Sequence, residues 1–166
     1  MTDKASENNS ISDIIMNHAL LGRVMAQATA VETLIDACIA EYYTHCPDGD
    51  YQNSYLTLTF DVLNHKGVTL STKVDILFKV FSRVDLARVK PGDRKAFDDW
   101  LHVRNIFAHG KMIDGALLYN GKYYNIQDQA NKHAELQVRI NTVLDRFSNL
   151  RGRYFGNLPV TETDDA

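Results

Sequence analysis

The sequence lacks a long uninterrupted apolar run and contains few cysteines. Polar residues interrupt each hydrophobic stretch within a few positions, which argues against a membrane span of about 20 residues. No basic and then apolar segment follows Met1, so no secretory signal peptide is expected. The two cysteines, Cys38 and Cys46, are therefore expected to stay reduced in a cytoplasmic protein. The composition, 45% hydrophobic and 23% charged over 166 residues, is typical of one globular domain.

The chain also lacks an excess of positive charge. Its 18 Lys and Arg residues and 21 Asp and Glu residues give a net charge of −3, which argues against a strong nonspecific nucleic-acid binder. The charge is unevenly distributed, however. Residues 158–166 hold three acids and no base, whereas residues 79–111 hold eight bases and four acids, a local balance of +4. Such a window fits either an anionic partner or a solvated basic helix face.

Hydrophobic spacing predicts an all-α protein. Residues 1–10 are small and polar and predict a disordered tail. Apolar residues three and four apart predict four main helices, which run from Ile11 to about Tyr43, over 70–84, from Asp93 to His109 and over 128–151. Residues 50–68 fit either a strand or a short helix. We therefore predict a four- to five-helix up-down bundle over residues 11–156, followed by an acidic tail over 157–166.

Cap residues mark the ends of these helices. Thr69 or Ser71 can cap the second helix, and Asp93 can cap the third. Gly110 follows the third helix and is favoured at a helix C-terminus because it reaches positive φ without steric cost.

A small β-hairpin is predicted before the last helix. The pair Asn120-Gly121 is a strong hairpin signal, and it separates two short strands over 116–119 and 122–126. Side chains of this hairpin could stack on bases and contact phosphate, or could form its packing face: Tyr119, Lys122, Tyr123 and Tyr124. Lys111 and Tyr123 are the candidate substrate-binding residues.

The segment 100–110 brings three polar side chains to one helix end. On a helical wheel, Arg104 falls at the centre of a buried stripe formed by Phe97, Trp100, Leu101, Phe107 and Ala108. Asn105 and His109 lie four residues apart on the flank of that stripe and point the same way. An arginine at a core position must be paired or must face a wet cavity.

Two interpretations of Arg104 fit this placement. In the first, Arg104 pairs with a buried acid of the first helix, such as Glu32 or Asp36, and His109 only caps its helix. In the second, Arg104 clamps phosphate oxygens and His109 moves a proton near neutral pH. Spacing alone favours the first interpretation.

The hexapeptide Arg104–His109 resembles the Arg-x4-6-His motif of the HEPN superfamily, in which a polar residue, often Asn, commonly follows the arginine. The surrounding order is similar too. A long first helix carries Glu32, a second helix has Lys73 at its start, the motif ends a third helix, and a final helix follows. The resemblance covers about residues 11–150.

This resemblance implies a metal-independent endoribonuclease that acts as a homodimer, with two copies of the motif facing one cleft. His109 would deprotonate the ribose 2′-hydroxyl or protonate the leaving oxygen. Arg104 would stabilise the pentacovalent phosphate, and Asn105 would help to orient the two. The reaction needs RNA and leaves a 2′,3′-cyclic phosphate. The family also implies a prokaryotic toxin–antitoxin or defence system, with an antitoxin or regulatory protein as a partner.

Two other interpretations stay open. Some HEPN proteins bind partners or regulate other proteins, so a catalytically silent helical module that binds a partner protein or regulates transcription is the alternative. The other is a plain helical bundle that carries the motif by chance.

No cofactor and no metal site are predicted. His45 with Cys46 lacks the paired spacing of a zinc site, and Glu32, Asp36 and Glu41 lack the Glu-x-x-His pattern of a di-metal bundle. No phosphate-binding glycine loop is present. The isolated histidines are expected to be solvated or partly packed: His18, His65, His102 and His133.

Overall fold

The computed structural model describes the backbone of residues 3–44, 57–65 and 67–154, and the side chains of residues 14–44, 57–59, 61–65 and 67–147. Cys46, the first part of the ambiguous 50–68 segment and the acidic tail over 157–166 lie outside these residues.

Helices account for most of the described chain. The four α-helices are α1 (Asp3–Thr44), α2 (Leu70–Asp85), α3 (Asp93–His109) and α4 (Ile126–Tyr154). A π-helical segment, Leu58–Leu63, precedes α2, and a 3-10 turn, Leu86–Arg88, follows it. The mostly helical fold class is confirmed. No helix in these ranges combines the length and the hydrophobicity that a bilayer-spanning segment requires.

The chain divides into two compact units, of which the first contains Met1–Leu34 and Lys90–Asn141. This unit holds all of α3 and the sheet. Its largest fully buried side chains include Phe97, Trp100 and Ile106 of α3. Burial of side chains of this size stabilises a fold by about 1.5–3 kcal/mol each. Helix α3 is therefore packed firmly within the first unit, which defines the position of its C-terminal end.

The second unit contains Ile35–Val89 and Thr142–Ala166. Its core includes Ile35, Leu77 and Phe81, and the ring of Phe81 stacks on that of Phe147. The prediction of a single domain over 11–156 stays a prediction.

Two helix N-termini differ from the prediction. Helix α1 begins at Asp3, so residues 3–10, predicted as a disordered tail, are helical. They contain no Gly or Pro that would interrupt a helix. Asp93 does not cap α3, because Gly92 with φ of 91° is the capping residue. Oδ2 of Asp93 instead accepts a hydrogen bond from the backbone N–H of Lys90 at 2.8 Å.

The ambiguous segment contains a helix over its described central part, and a turn follows. Leu58–Leu63 form the π-helix, so the strand interpretation is wrong for these residues. Periodicity cannot separate a short helix from a strand in a run of this length. Thr69 caps α2 as predicted, because its hydroxyl accepts a hydrogen bond from the backbone N–H of Thr72 at 3.2 Å.

The insertion before α4 is a three-stranded antiparallel sheet rather than a hairpin. Its strands are β1 (Lys111–Ile113), β2 (Ala116–Tyr119) and β3 (Lys122–Asn125), in the order β1-β2-β3. The predicted pair β2–β3 and its Asn120-Gly121 turn are confirmed, with φ of 49° and 74° at the two turn residues. Strand β1 was not predicted. It joins β2 through Asp114-Gly115, whose φ values of 47° and 77° describe the same kind of turn.

Candidate functional site

Helix α3 positions the residues of the predicted motif. Its buried side includes Phe97, Trp100, Leu101 and Phe107, as predicted, whereas Ala108 is half-buried. A helix held along one side fixes the directions in which its remaining side chains point. The last turns of α3 therefore present the motif in a defined geometry.

Arg104 is half-buried and donates a hydrogen bond from Nη1 to Oδ1 of Asn105 at 3.2 Å. Its place on the helical wheel lies within the buried side of α3, as predicted. It is nevertheless only half-buried, whereas Val103, Ile106 and Phe107 around it are buried. The amide oxygen engages one of the five N–H donors of a guanidinium, and no carboxylate of the described residues forms a salt bridge with Arg104.

The buried acid Asp36 has a different partner. Nζ of Lys73 lies 2.8 Å from Oδ2 of Asp36, and both side chains are buried. The interpretation in which Arg104 neutralises Asp36 is therefore wrong. Lys73, at the start of α2, supplies the positive charge that neutralises Asp36.

His109 is the last residue of α3, and its side chain is exposed. Asn105 precedes it by one helical turn, so the two side chains lie on the same side of the helix, as the spacing predicts. The end of α3 thus offers an exposed imidazole and, within one and a half turns, a partly exposed guanidinium held by an amide. This combination can bind an anion and transfer a proton to or from it.

Gly110 does not have the positive φ that its place after a helix predicts. Its φ of −69° and ψ of 145° are extended, and its N–H donates to the carbonyl of Ile106 at 2.9 Å. A Cβ atom there would overlap the Ile106 carbonyl oxygen and would lie 3.5 Å from Cβ of Leu117. The glycine is needed because the backbone passes close to its neighbours as α3 turns into β1.

The sheet brings the two candidate substrate-binding residues onto one face. Lys111 pairs with Leu118, which in turn pairs with Tyr123, so these three side chains point to the same side of the sheet. Lys111 and Tyr123 are both exposed.

Tyr119 and Tyr124 lie on the opposite face of the sheet. Their rings make edge contacts with His102 of α3, at centroid distances of 6.2 and 6.3 Å. Both tyrosines are half-buried. For these two residues the structure supports the interpretation as a packing face of the sheet against α3.

His133 is fully buried, although it was expected to be solvated or partly packed. Its Nε2 accepts a hydrogen bond from Nε1 of Trp100 at 3.1 Å, and burial lowers the pKa of His133 below its ordinary value. The apolar spacing of Ala130, Leu136 and Ile140 could have revealed this burial, because His133 falls on the same stripe of α4. His18, His65 and His102 are exposed, as expected.

Among the residues that the structure describes, no group of three or more His, Cys, Asp or Glu side chains is arranged to hold a metal ion.

Neither a family model nor a curated protein nor a solved structure matches the chain. The candidate site consists of five residues at the end of α3 or on one face of the sheet that follows it: Arg104, Asn105, His109, Lys111 and Tyr123.

Proposed function

We propose that the protein is a metal-independent endoribonuclease of the HEPN type. The observation that carries the proposal is the environment of Arg104. This side chain is half-buried, is hydrogen-bonded to Asn105, and forms no salt bridge with a carboxylate of the described residues. A guanidinium in this environment keeps the charge and most of the donors with which arginine binds phosphate.

The proposed reaction uses the ribose 2′-hydroxyl as the nucleophile. The 2′-oxygen attacks the adjacent phosphorus, the bond from phosphorus to the 5′-oxygen breaks, and the products are a 2′,3′-cyclic phosphate and a 5′-hydroxyl. His109 takes the proton of the 2′-hydroxyl or supplies one to the leaving oxygen. Arg104 stabilises the charge of the pentacovalent phosphate. Asn105 is a positioning residue, because its Oδ1 holds the guanidinium of Arg104.

The proposal includes a homodimer. The family resemblance implies this dimer, with two copies of His109 facing one cleft, so that one imidazole could accept a proton and the other could donate one. A toxin–antitoxin or defence setting, with an antitoxin as a partner, enters the proposal through the family resemblance alone.

The ends of the cleavage products test this chemistry. RNA incubated with the protein should yield fragments that end in a 2′,3′-cyclic phosphate and fragments that begin with a 5′-hydroxyl, both identified by mass spectrometry. The same sequence made of deoxyribose should stay intact, because it lacks the attacking hydroxyl. Cleavage of the deoxyribose strand, or RNA products that end in a free 3′-hydroxyl, would contradict the proposal.

A catalytically silent module that binds a partner protein is the second candidate. It is favoured by three consecutive exposed apolar side chains on α1, with Ile14, Ile15 and Met16 exposed by 53%, 64% and 69%. Large apolar side chains that stay exposed within one helical turn are available to a partner protein. Under this alternative, the pure protein cleaves no RNA.

A further inference from the structure

The antiparallel register aligns one residue of each strand across the sheet. Lys111, Leu118 and Tyr123 are neighbours in this alignment, and we call them the outward row. Leu117, which precedes Leu118 and points to the other side, is fully buried. The outward row therefore faces away from the core. Tyr123 is 66% exposed, Lys111 is exposed and Leu118 is half-buried.

The outward row begins two residues after His109. The close approach of Gly110 to Ile106 and Leu117 keeps this connection tight. Two residues span at most about 7 Å, and two strand spacings across the sheet add about 10 Å. His109, Lys111 and Tyr123 thus lie within the reach of a few nucleotides of one strand.

The outward side of the sheet carries a positive charge and no carboxylate. Strand alternation places six residues on it: Lys111, Ile113, Ala116, Leu118, Tyr123 and Asn125. Asp114 lies in the turn between β1 and β2. A cation, an exposed aromatic ring and half-buried apolar groups match a nucleotide, which offers an anionic phosphate and a base with flat apolar faces.

We infer that the outward row binds single-stranded RNA beside the phosphate that is cleaved. Tyr123 stacks on a base and Lys111 contacts a backbone phosphate. This inference rests on the proposed function and adds the substrate class. Because the tyrosine ring needs a base whose face is free, the preferred substrate has unpaired nucleotides next to the cleavage site.

Binding of a non-cleavable probe tests this inference. The probe is a fluorescein-labelled single-stranded RNA with 2′-O-methyl groups throughout, which keeps the bases and phosphates but removes the nucleophile. Its anisotropy is measured with the full chain. We expect Tyr123→Ala to weaken binding by about tenfold or more. Tyr123→Phe should bind like the wild type, because phenylalanine keeps the ring.

The salt dependence separates the phosphate contact from stacking. Lys111→Gln should weaken binding and reduce the slope of log affinity against log salt concentration by about 0.7. The matched control Lys79→Gln removes an exposed lysine of α2 and should change neither quantity. The duplex of the probe with its complement should bind more weakly than the single strand.

Comparison with cleavage assays shows which proposal fails. If the protein cleaves RNA while Tyr123→Ala and Lys111→Gln bind and cleave like the wild type, the inference is overturned and the ribonuclease stands. If both variants lose affinity for the probe but the wild type cleaves no RNA, the binding of single-stranded RNA by the outward row stands and the ribonuclease fails. A lower mass of Tyr123→Ala in light scattering, with unchanged affinity for the probe, overturns the inference by assigning the outward row to a second copy of the chain.

Discussion

Nζ of Lys73 on α2 lies 2.8 Å from Oδ2 of Asp36 on α1, and both side chains are almost inaccessible to solvent. A carboxylate buried in a core needs a partner, and here a lysine provides it. Arg104, by contrast, is bonded to the neutral amide of Asn105. The two cations therefore differ in role: Lys73 stabilises the second unit, and Arg104 is proposed to bind phosphate.

Removal of Lys73 is expected to destabilise the protein strongly. Lys73→Ala leaves a buried carboxylate without its ammonium partner and should lower the free energy of unfolding by about 3–5 kcal/mol, measured by urea denaturation. Lys73→Met combined with Asp36→Leu removes both charges and should recover most of the loss. The control Lys95→Ala breaks an exposed pair with Asp99 and should cost no more than about 1 kcal/mol. Equal losses for Lys73→Ala and Lys95→Ala would contradict the structural role of the buried pair.

Arg104→Ala is expected to leave the stability of the fold nearly unchanged. The substitution removes one hydrogen bond from a half-buried site, for which about 1 kcal/mol is the usual cost. Urea denaturation of Arg104→Ala and of Lys73→Ala compares the free energies of unfolding that the two substitutions remove. A loss as large as that of Lys73→Ala would mean that Arg104 is a structural residue, and the main support for its role in phosphate binding would be gone.

The stability of the protein should fall in mild acid because of His133. Burial lowers its pKa in the folded state, whereas the unfolded chain has the ordinary value of 6.5. Below pH 6.5 the unfolded chain thus takes up a proton that the folded chain does not, and the free energy of unfolding decreases by up to about 1.4 kcal/mol per pH unit. Well above pH 6.5, His133 is neutral in both the folded and the unfolded state, so its protonation no longer lowers the free energy of unfolding.

The variant His133→Gln isolates this effect. Its amide oxygen can still accept the hydrogen bond of Trp100, but it does not titrate. Urea denaturation between pH 7.5 and about pH 5.5 should therefore show a shallower decline for the variant than for the wild type. Parallel declines would assign the acid sensitivity to other groups.

Replacement of three glycines by alanine should change the stability of the protein in different ways. Gly110→Ala forces a Cβ against the Ile106 carbonyl and should cost about 1–3 kcal/mol. Gly121→Ala meets no steric contact, but φ of 74° should make it cost about 1–2 kcal/mol. Gly22→Ala, in the middle of α1 with open space around it, should stabilise the protein by about 0.5–1 kcal/mol. Thermal melting of the three variants provides the measurement, and stabilisation by Gly110→Ala would refute the close approach.

Helix periodicity made the fold class and part of the site predictable. Burial repeats every three or four residues in an amphipathic helix, so the buried side of α3 and the shared direction of Asn105 and His109 follow from spacing. Strand β1 was harder to predict, since three residues are too few to show alternation. The turn Asp114-Gly115 carries the same signal as Asn120-Gly121 and is the feature from which β1 could be predicted.

The partners of ionisable side chains could not be predicted from spacing. Lys73 and Arg104 are both cations placed beside apolar stripes, and only the packing of the helices shows that Lys73 is the one that meets Asp36. Trp100 and His133 are 33 positions apart, and their hydrogen bond depends on the packing of two helices. Contacts of this kind depend on tertiary structure, which a pattern within one helix does not contain.

RNA cleavage by matched variants in excess EDTA tests the proposed ribonuclease most directly. The purified proteins are the wild type, Arg104→Ala, His109→Ala and the control His18→Ala, which removes an exposed histidine of α1. We predict that the wild type and His18→Ala cleave at similar rates, and that the other two variants are folded but at least about 100-fold slower. Equal rates for all four proteins, or no cleavage by wild-type protein freed of partners, would contradict the account.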